Sequence, residues 1–108
     1  MALQVESLSF EMVEAVRPLV ARVRRHDRSL ADQLVRAASS VALNIAEGDM
    51  SDPGNQKSRF FTAAGSANEV RAALRLAVAW GYVAPTEAEP GSALVLRILS
   101  MLWKLTRK

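Results

Sequence analysis

The segment SLADQLVRAASSVALNIAEG, residues 29–48, is the element around which the rest of the chain is organised. Ser40 and Asn44 lie beside its apolar stripe, where their side chains can exchange hydrogen bonds at the edge of a buried seam. Ser29 is the expected N-cap, and Gly48 is the expected left-handed residue that ends the helix. At 100° per residue, one face of this helix carries the stripe, which consists of Leu30, Leu34, Ala38, Val41 and Ile45.

The composition fits a single helical domain spanning residues 1–108. Half of the residues are apolar but only 6% are aromatic, so the core should be aliphatic and rich in alanine. The absence of cysteine removes disulfides and thiolate sites, and fits a reducing cytoplasm. Neither a secretory leader pattern nor an apolar run of about 18 residues is present, so we expect a cytoplasmic protein without a membrane partner. The net charge of +3 permits an acidic partner but does not require one.

Apolar periodicity predicts four helices, at residues 9–26, 29–47, 53–80 and 87–106. Pro18 either kinks the first helix or marks its start, and Pro90 offers an alternative start for the last one. Because the connections are short, neighbouring helices should be antiparallel. The predicted fold is all-α, an antiparallel up-down-up-down four-helix bundle. Its core should contain Leu34, Val41, Ile45, Phe60, Ala67, Leu74 and Ile98.

The predicted third helix is apolar on two sides. One side is an ordinary core stripe, whereas the opposite side carries apolar and small residues where water is expected. A helix with two apolar faces needs two partners, and small residues let another helix approach closely. We therefore predict a homo-oligomer. Its interface should contain Leu43 of the central helix together with Phe61, Gly65, Ala72, Leu76 and Trp80.

The polar residues do not indicate a catalysed reaction. The lone histidine, His26, lies in a predicted loop and has no second imidazole or thiolate with which to form a metal site. Ser40 has no histidine in its helix and no lysine one turn away to activate it. Asp49 and Asp52 flank a loop, where aspartates usually cap helices and turns. We expect no catalytic residue, no metal and no cofactor.

Arginines concentrate near the end of the predicted first helix, where Arg17, Arg24 and Arg28 recur along one face. Arginine pairs bidentately with phosphate, so this stripe could follow the backbone of RNA or DNA. The alternative is a solvated face whose charge is tempered by Glu11 and Glu14. The candidate nucleic-acid contacts are Arg17, Arg24, Arg25 and Arg28.

Two motifs resemble those of a known family, the small four-helix bundle proteins encoded in intervening sequences of bacterial 23S ribosomal RNA genes. These proteins are related to the accessory variability determinant protein of diversity-generating retroelements. Their hallmark is a run like R-A-A-x-S-I-x-x-N-I-A-E-G, and a second signature, G-S-x-x-E, lies in the third helix. The defining matches here are Arg36, Ser40, Asn44, Glu47, Gly48, Gly65, Ser66 and Glu69.

The resemblance implies a four-helix bundle that forms rings, typically of five subunits, with nucleic acid or a reverse transcriptase as partner. Relatives carry a basic residue soon after the glycine of A-E-G, whereas this chain reads DMSD at 49–52. Two functions remain open at this point. One is an oligomeric accessory protein that binds RNA or DNA, and the other is a structural adapter that presents its surfaces to another protein.

Overall fold

The computed structural model describes residues 2–107, with side chains from Gln4 onward. These residues form four α-helices and no strand, which confirms the predicted all-α class. The helices are α1 (Ala2–His26), α2 (Arg28–Asp49), α3 (Pro53–Ala79) and α4 (Pro85–Thr106).

The helices form a closed antiparallel bundle. α1 packs against α2 and α4, and α3 packs against the same two helices, which gives the predicted up-down-up-down order. The bundle is 42 Å long and 22 by 18 Å across. All seven residues predicted for the core lie at its centre, each with 1% exposure or less. Phe60 supplies their one aromatic ring, so the core is aliphatic as the composition indicated.

The first helix is longer than its periodicity predicted. It begins at Ala2 rather than residue 9, because Val5 and Leu8 extend its buried stripe by two turns. Pro18 lies in the interior of this continuous helix, so it does not mark the start. Its ring is exposed, and on that side water can satisfy the carbonyl that loses its helical donor.

Both ends of α2 differ from the prediction. The N-cap is Asp27, whose carboxylate accepts a hydrogen bond from the Leu30 amide at 2.9 Å, and not Ser29. At the other end Gly48 is helical, and Gly81 is the only described residue with a positive φ. A Cβ at Gly48 would lie 2.7 Å from Cε1 of Phe60. Close packing against α3, and not a left-handed turn, therefore requires this glycine.

The ends of α3 are confirmed, whereas the start of α4 is corrected. Asp52 caps α3 by accepting from the Asn55 amide at 3.0 Å, which lowers the pKa of its carboxyl group, and Gly81 follows the helix with φ of 80°. α4 begins at Pro85, where the Glu87 carboxylate accepts from the Ala84 amide at 2.8 Å. Glu87 therefore lies in the first turn of the helix, and Pro90 lies inside the helix.

Candidate functional site

Three of the candidate arginines, Arg24, Arg25 and Arg28, lie at the end of the bundle where α1 ends and α2 begins, and Arg17 lies about two and a half turns before that end. All four are exposed, but they do not share one helix as predicted. Arg17, Arg24 and Arg25 belong to α1, whereas Arg28 is the first residue of α2. The chain turns at Asp27, so the step of four residues from Arg24 to Arg28 crosses a helix boundary.

The carboxylates near these arginines decide how much of their charge is free. Arg24 is held by Asp32 of α2, with Nη1 and Oδ1 2.6 Å apart. Among residues 4–107, no carboxylate oxygen lies within 4.0 Å of the charged nitrogens of Arg17, Arg25 or Arg28. Glu11 and Glu14 therefore do not pair with them. The sequence analysis missed Asp32, because the ion pair joins two helices across a turn.

A groove runs between α1 and α2 beside the same arginines. It encloses about 600 Å³ and is lined by apolar side chains, with arginines exposed along its edge. Val35 of α2 is 42% exposed there. The sequence did not reveal this groove, since Val13 and Val20 fall within the apolar periodicity of α1, yet both are only partly buried. The apolar lining is Val13, Val16, Val20, Ala21, Val35 and Ala38, and the arginines are Arg17, Arg24 and Arg25.

His26 lies at the turn between α1 and α2, next to the groove. It is the last residue of α1 and not a loop residue, and its ring stacks on Tyr82 with centroids 4.9 Å apart and planes 4° from parallel. Tyr82 lies in the connection between α3 and α4. This contact ties the two connections at the arginine-bearing end together. Among the described residues, no group of three or more His, Asp or Glu side chains is placed to hold a metal ion.

The family motif occupies the seam between α2 and α3. The Ser40 and Ser66 hydroxyls are hydrogen-bonded at 2.8 Å, which joins the two signatures directly. Asn44 donates to the Ser40 carbonyl at 2.9 Å and to its hydroxyl at 3.0 Å. These bonds confirm the expectation that Ser40 and Asn44 exchange hydrogen bonds at the edge of a buried seam: Ser40 bonds a neighbouring helix, and Asn44 bonds the backbone four residues back. A serine engaged in this way has a structural role in the seam.

Two further motif residues, Glu47 and Gly48, extend the seam toward the end of α2. Glu47 pairs with Arg59 of α3 at 3.2 Å, and Gly48 admits the ring of Phe60. Arg36 and Glu69 are exposed on the outer surface of α2 and α3. The motif therefore aligns two helices, and its side chains do not converge on a pocket.

The predicted interface residues are all on the outer surface. Gly65 and Ala72 are exposed, and the four large side chains keep between 47% and 68% of their surface accessible. A Cβ added at Gly65 would have no atom within 4 Å, so packing within the subunit does not require a glycine there. The four large side chains are Leu43, Phe61, Leu76 and Trp80.

The fold and these surfaces define a four-helix bundle whose polar motif is used for packing and whose outer faces are available for contacts. The chain belongs to the family of 23S rRNA-intervening sequence proteins, which matches residues 1–104. A protein of unknown function from the S23 ribosomal protein family of Bacteroides thetaiotaomicron has a similar structure. Its TM-score is 0.88 at 19% sequence identity, with 96% of this chain and 99% of that chain covered.

No curated protein matches the chain significantly. Among the described residues, no helix is long and apolar enough to cross a membrane.

Proposed function

We propose that the protein is a non-enzymatic, cytoplasmic, homo-oligomeric accessory protein that binds RNA or DNA without sequence preference at the arginine-bearing end of the bundle. The observation that carries this proposal is the exposure of Arg25 and Arg28 at one end, and of Arg17 in the same half of α1, without a carboxylate partner among residues 4–107. Phosphates supply the counter-charge that these guanidinium groups lack. The resemblance to the retroelement accessory protein adds a reverse transcriptase as a candidate partner.

The distribution of charge restricts the site to one end. Because the helices are antiparallel, the start of α1 and the end of α2 lie together at the opposite end of the bundle. That end carries Glu6 and Glu11 on α1 and an acidic loop from Asp49 to Asp52, and it also carries four basic residues at the start of α3 and the end of α4, namely Lys57, Arg59, Lys104 and Arg107. Acidic and basic residues therefore nearly balance at that end, whereas arginines predominate at the other end, so a polyanion is attracted mainly to the arginine end and charge orients the subunit on its ligand.

Assembly strengthens the interaction. The exposed outer face of α2 and α3 supports a homo-oligomer, for which the family resemblance implies five subunits. Five copies of a chain with net charge +3 carry +15 in total. Weak contacts at each subunit then act together as one multivalent site.

The assembly is tested by light scattering on wild type and Leu76→Arg. Leu76 is 47% exposed, so the arginine should leave the fold intact while placing a charge in the interface. We expect a multiple of the 11.8 kDa chain mass for wild type and a smaller species for the variant, with unchanged helicity. A wild-type monomer at micromolar concentration would exclude the proposed oligomer.

Binding is tested by filter-binding titrations with a mixed-sequence DNA duplex and the corresponding RNA. Arg25→Glu/Arg28→Glu should abolish binding, because it reverses two exposed charges at the proposed site. The matched control is Lys57→Glu/Lys104→Glu, which changes net charge equally at the opposite end and should retain most of the affinity. If each subunit of a pentamer neutralises one phosphate, log affinity should fall against log salt with a slope of about −4 to −5 on DNA.

A structural adapter is the second candidate function. It is favoured by the exposed apolar residues on α2 and α3, which have the composition of a protein interface. The titration separates the two functions. Absence of binding at low salt, or equal loss in both double variants, would exclude the arginine site and leave the adapter.

A further inference from the structure

α1 is divided by charge into an acidic first half and a basic second half. Glu6, Glu11 and Glu14 precede residue 16, and four arginines follow it, at Arg17, Arg22, Arg24 and Arg25. One outer line of the helix also carries Phe10, an aromatic side chain that is 54% exposed. An exposed aromatic ring between two carboxylates, on the same helix as an arginine-edged apolar groove, indicates surfaces that complement each other.

We propose that α1 pairs antiparallel with α1 of a second copy of the chain, about a twofold axis that passes between residues 15 and 16. In this register Phe10 faces Ala21 of the second copy, and Glu14 faces Arg17. Glu6 faces Arg24. The twofold axis repeats each contact, so one apolar insertion and two charge pairs become two insertions and four pairs.

The positions of these residues around the helix allow this register. At 100° per residue, Phe10, Arg17 and Ala21 point in the same direction to within about 40°. Glu6 and Arg24 lie on the same edge of this line. In a twofold antiparallel pair, equivalent edges of the two helices meet, so this carboxylate and this guanidinium are brought together. The line follows alternating steps of three and four residues, as in helices that pack side by side.

The groove between α1 and α2 supplies the space for the inserted ring. The Arg24–Asp32 ion pair places these two residues at about the same level of the bundle. Because α1 and α2 are antiparallel, a step of three residues along each helix then brings Ala21 level with Val35. Ala21 leaves the groove open at that level, and Val35 lines its other side. Phe10 of the second copy therefore meets an apolar surface next to a small residue. The groove volume of about 600 Å³ is ample for one aromatic ring.

The positive charge along the groove edge favours a second copy of the chain as the occupant, because the first half of α1 is acidic. A groove edged by three arginines selects an apolar segment flanked by acidic groups. The first half of α1 has this composition and spacing. Arg24 can receive Glu6 while it remains bound to Asp32, because a guanidinium group has five donors.

The inference goes beyond the proposed function and uses part of the same surface. Arg17 and Arg24 would serve both a second copy and a phosphate backbone, so the two ligands compete for them. Arg25 lies level with Glu6 but about 100° away from it around the helix, and Arg28 belongs to α2, so neither forms one of the proposed pairs. The Arg25→Glu/Arg28→Glu titration therefore tests nucleic-acid binding separately from self-pairing.

Sedimentation equilibrium in the Leu76→Arg background isolates this contact from assembly through α2 and α3. We expect the Leu76→Arg protein, which is the parent of the variants below, to have about twice the chain mass at micromolar concentration. Arg17→Glu and Glu14→Arg should each weaken pairing by about tenfold or more, because like charges then face each other twice per dimer. Combining both changes restores opposite charges and should return the mass to that of the parent.

Two further variants test the inserted ring and control for a general effect of charge. Phe10→Ala should weaken pairing without loss of helicity, and Lys57→Glu, a charge reversal away from α1, should not change the mass. A monomeric parent, a double variant no better than its single variants, or pairing unaffected by Phe10→Ala would each overturn the proposal. Circular dichroism on every variant separates lost pairing from lost fold.

Discussion

α2 makes two antiparallel contacts of opposite character. Against α3 it forms a closed seam, in which Gly48 admits the Phe60 ring and a hydroxyl pair joins Ser40 to Ser66. Against α1 it leaves an apolar groove of about 600 Å³ edged by arginines. Small and polar side chains thus bring two helices together, whereas branched aliphatic and long charged side chains hold them apart. The closed seam carries the family motif and stabilises the bundle, and the open side presents the charges.

The largest effect is expected in the core that both contacts share. Ile45→Asp should unfold the domain, because it buries an unpaired carboxylate in a fully buried site, at a cost of about 4 kcal/mol or more. Leu43→Asp is the matched control on the same helix. Leu43 is 64% exposed, so the same substitution there should leave the free energy of unfolding nearly unchanged. Urea denaturation of both variants measures the difference, and equal losses would refute the assignment of the faces of α2.

The same substitution at two glycines, one in the seam between α2 and α3 and one on the outer surface, should change stability in opposite directions. Gly48→Ala should destabilise the protein by about 1–2 kcal/mol, because the new methyl group would overlap the Phe60 ring and the ring is too buried to move away. Gly65→Ala should stabilise the subunit by about 0.5–1 kcal/mol, since the helix loses a flexible residue and the methyl group meets open space. Thermal denaturation checks both signs. Stabilisation by Gly48→Ala would show that the seam is looser than described.

A double-mutant cycle tests the polar part of the seam. Ser40→Ala and Ser66→Ala should each cost about 1 kcal/mol, because each leaves a partly buried hydroxyl without its partner. The double variant should cost less than the sum by about 0.5 kcal/mol or more, since the two hydroxyls are in contact. Strict additivity in chemical denaturation would mean that Asn44, and not the hydroxyl pair, stabilises this site.

The sequence predicted what depends on a single helix. Val41 and Ile45 follow the apolar stripe, and Phe61 and Leu76 fall on the outer face for the same reason. Much of what it missed depends on a second helix, whereas the starts of α1 and α4 and the cap of α2 were missed for local reasons. The sequence predicted that Gly48 ends the helix, because a glycine after an apolar stripe is typical of a helix end. Only the position of the Phe60 ring shows that a glycine is needed within the helix. The cap at Asp27 competed with an equally suitable Ser29, and local sequence alone could not choose between them.

The same reason explains the outcome at the candidate site. The four arginines were identified from their spacing, but the role of Arg28 as the first residue of α2 depends on where the chain turns. The pairing of Arg24 with Asp32 and the groove beside them depend on the distance between helices. Periodicity defines the face on which a side chain lies, and it carries no information about how closely the next helix approaches.

The smallest change in the free energy of unfolding is expected in the groove. The same substitution, valine to threonine, is made at two positions of α2, one in the groove and one in the core. Val35→Thr keeps the shape of the side chain and places a hydroxyl where water can reach it, because Val35 is 42% exposed. The free energy of unfolding should change by no more than about 0.5 kcal/mol. Val41→Thr makes the same change at a fully buried site and should cost about 1–3 kcal/mol, since the hydroxyl loses its hydration.

If Val35→Thr costs as much as Val41→Thr, the groove is closed in solution and Phe10 of a second copy cannot enter it. If the two costs differ as expected, Val35→Thr should still weaken α1 self-pairing, because it makes the wall that the inserted ring contacts more polar.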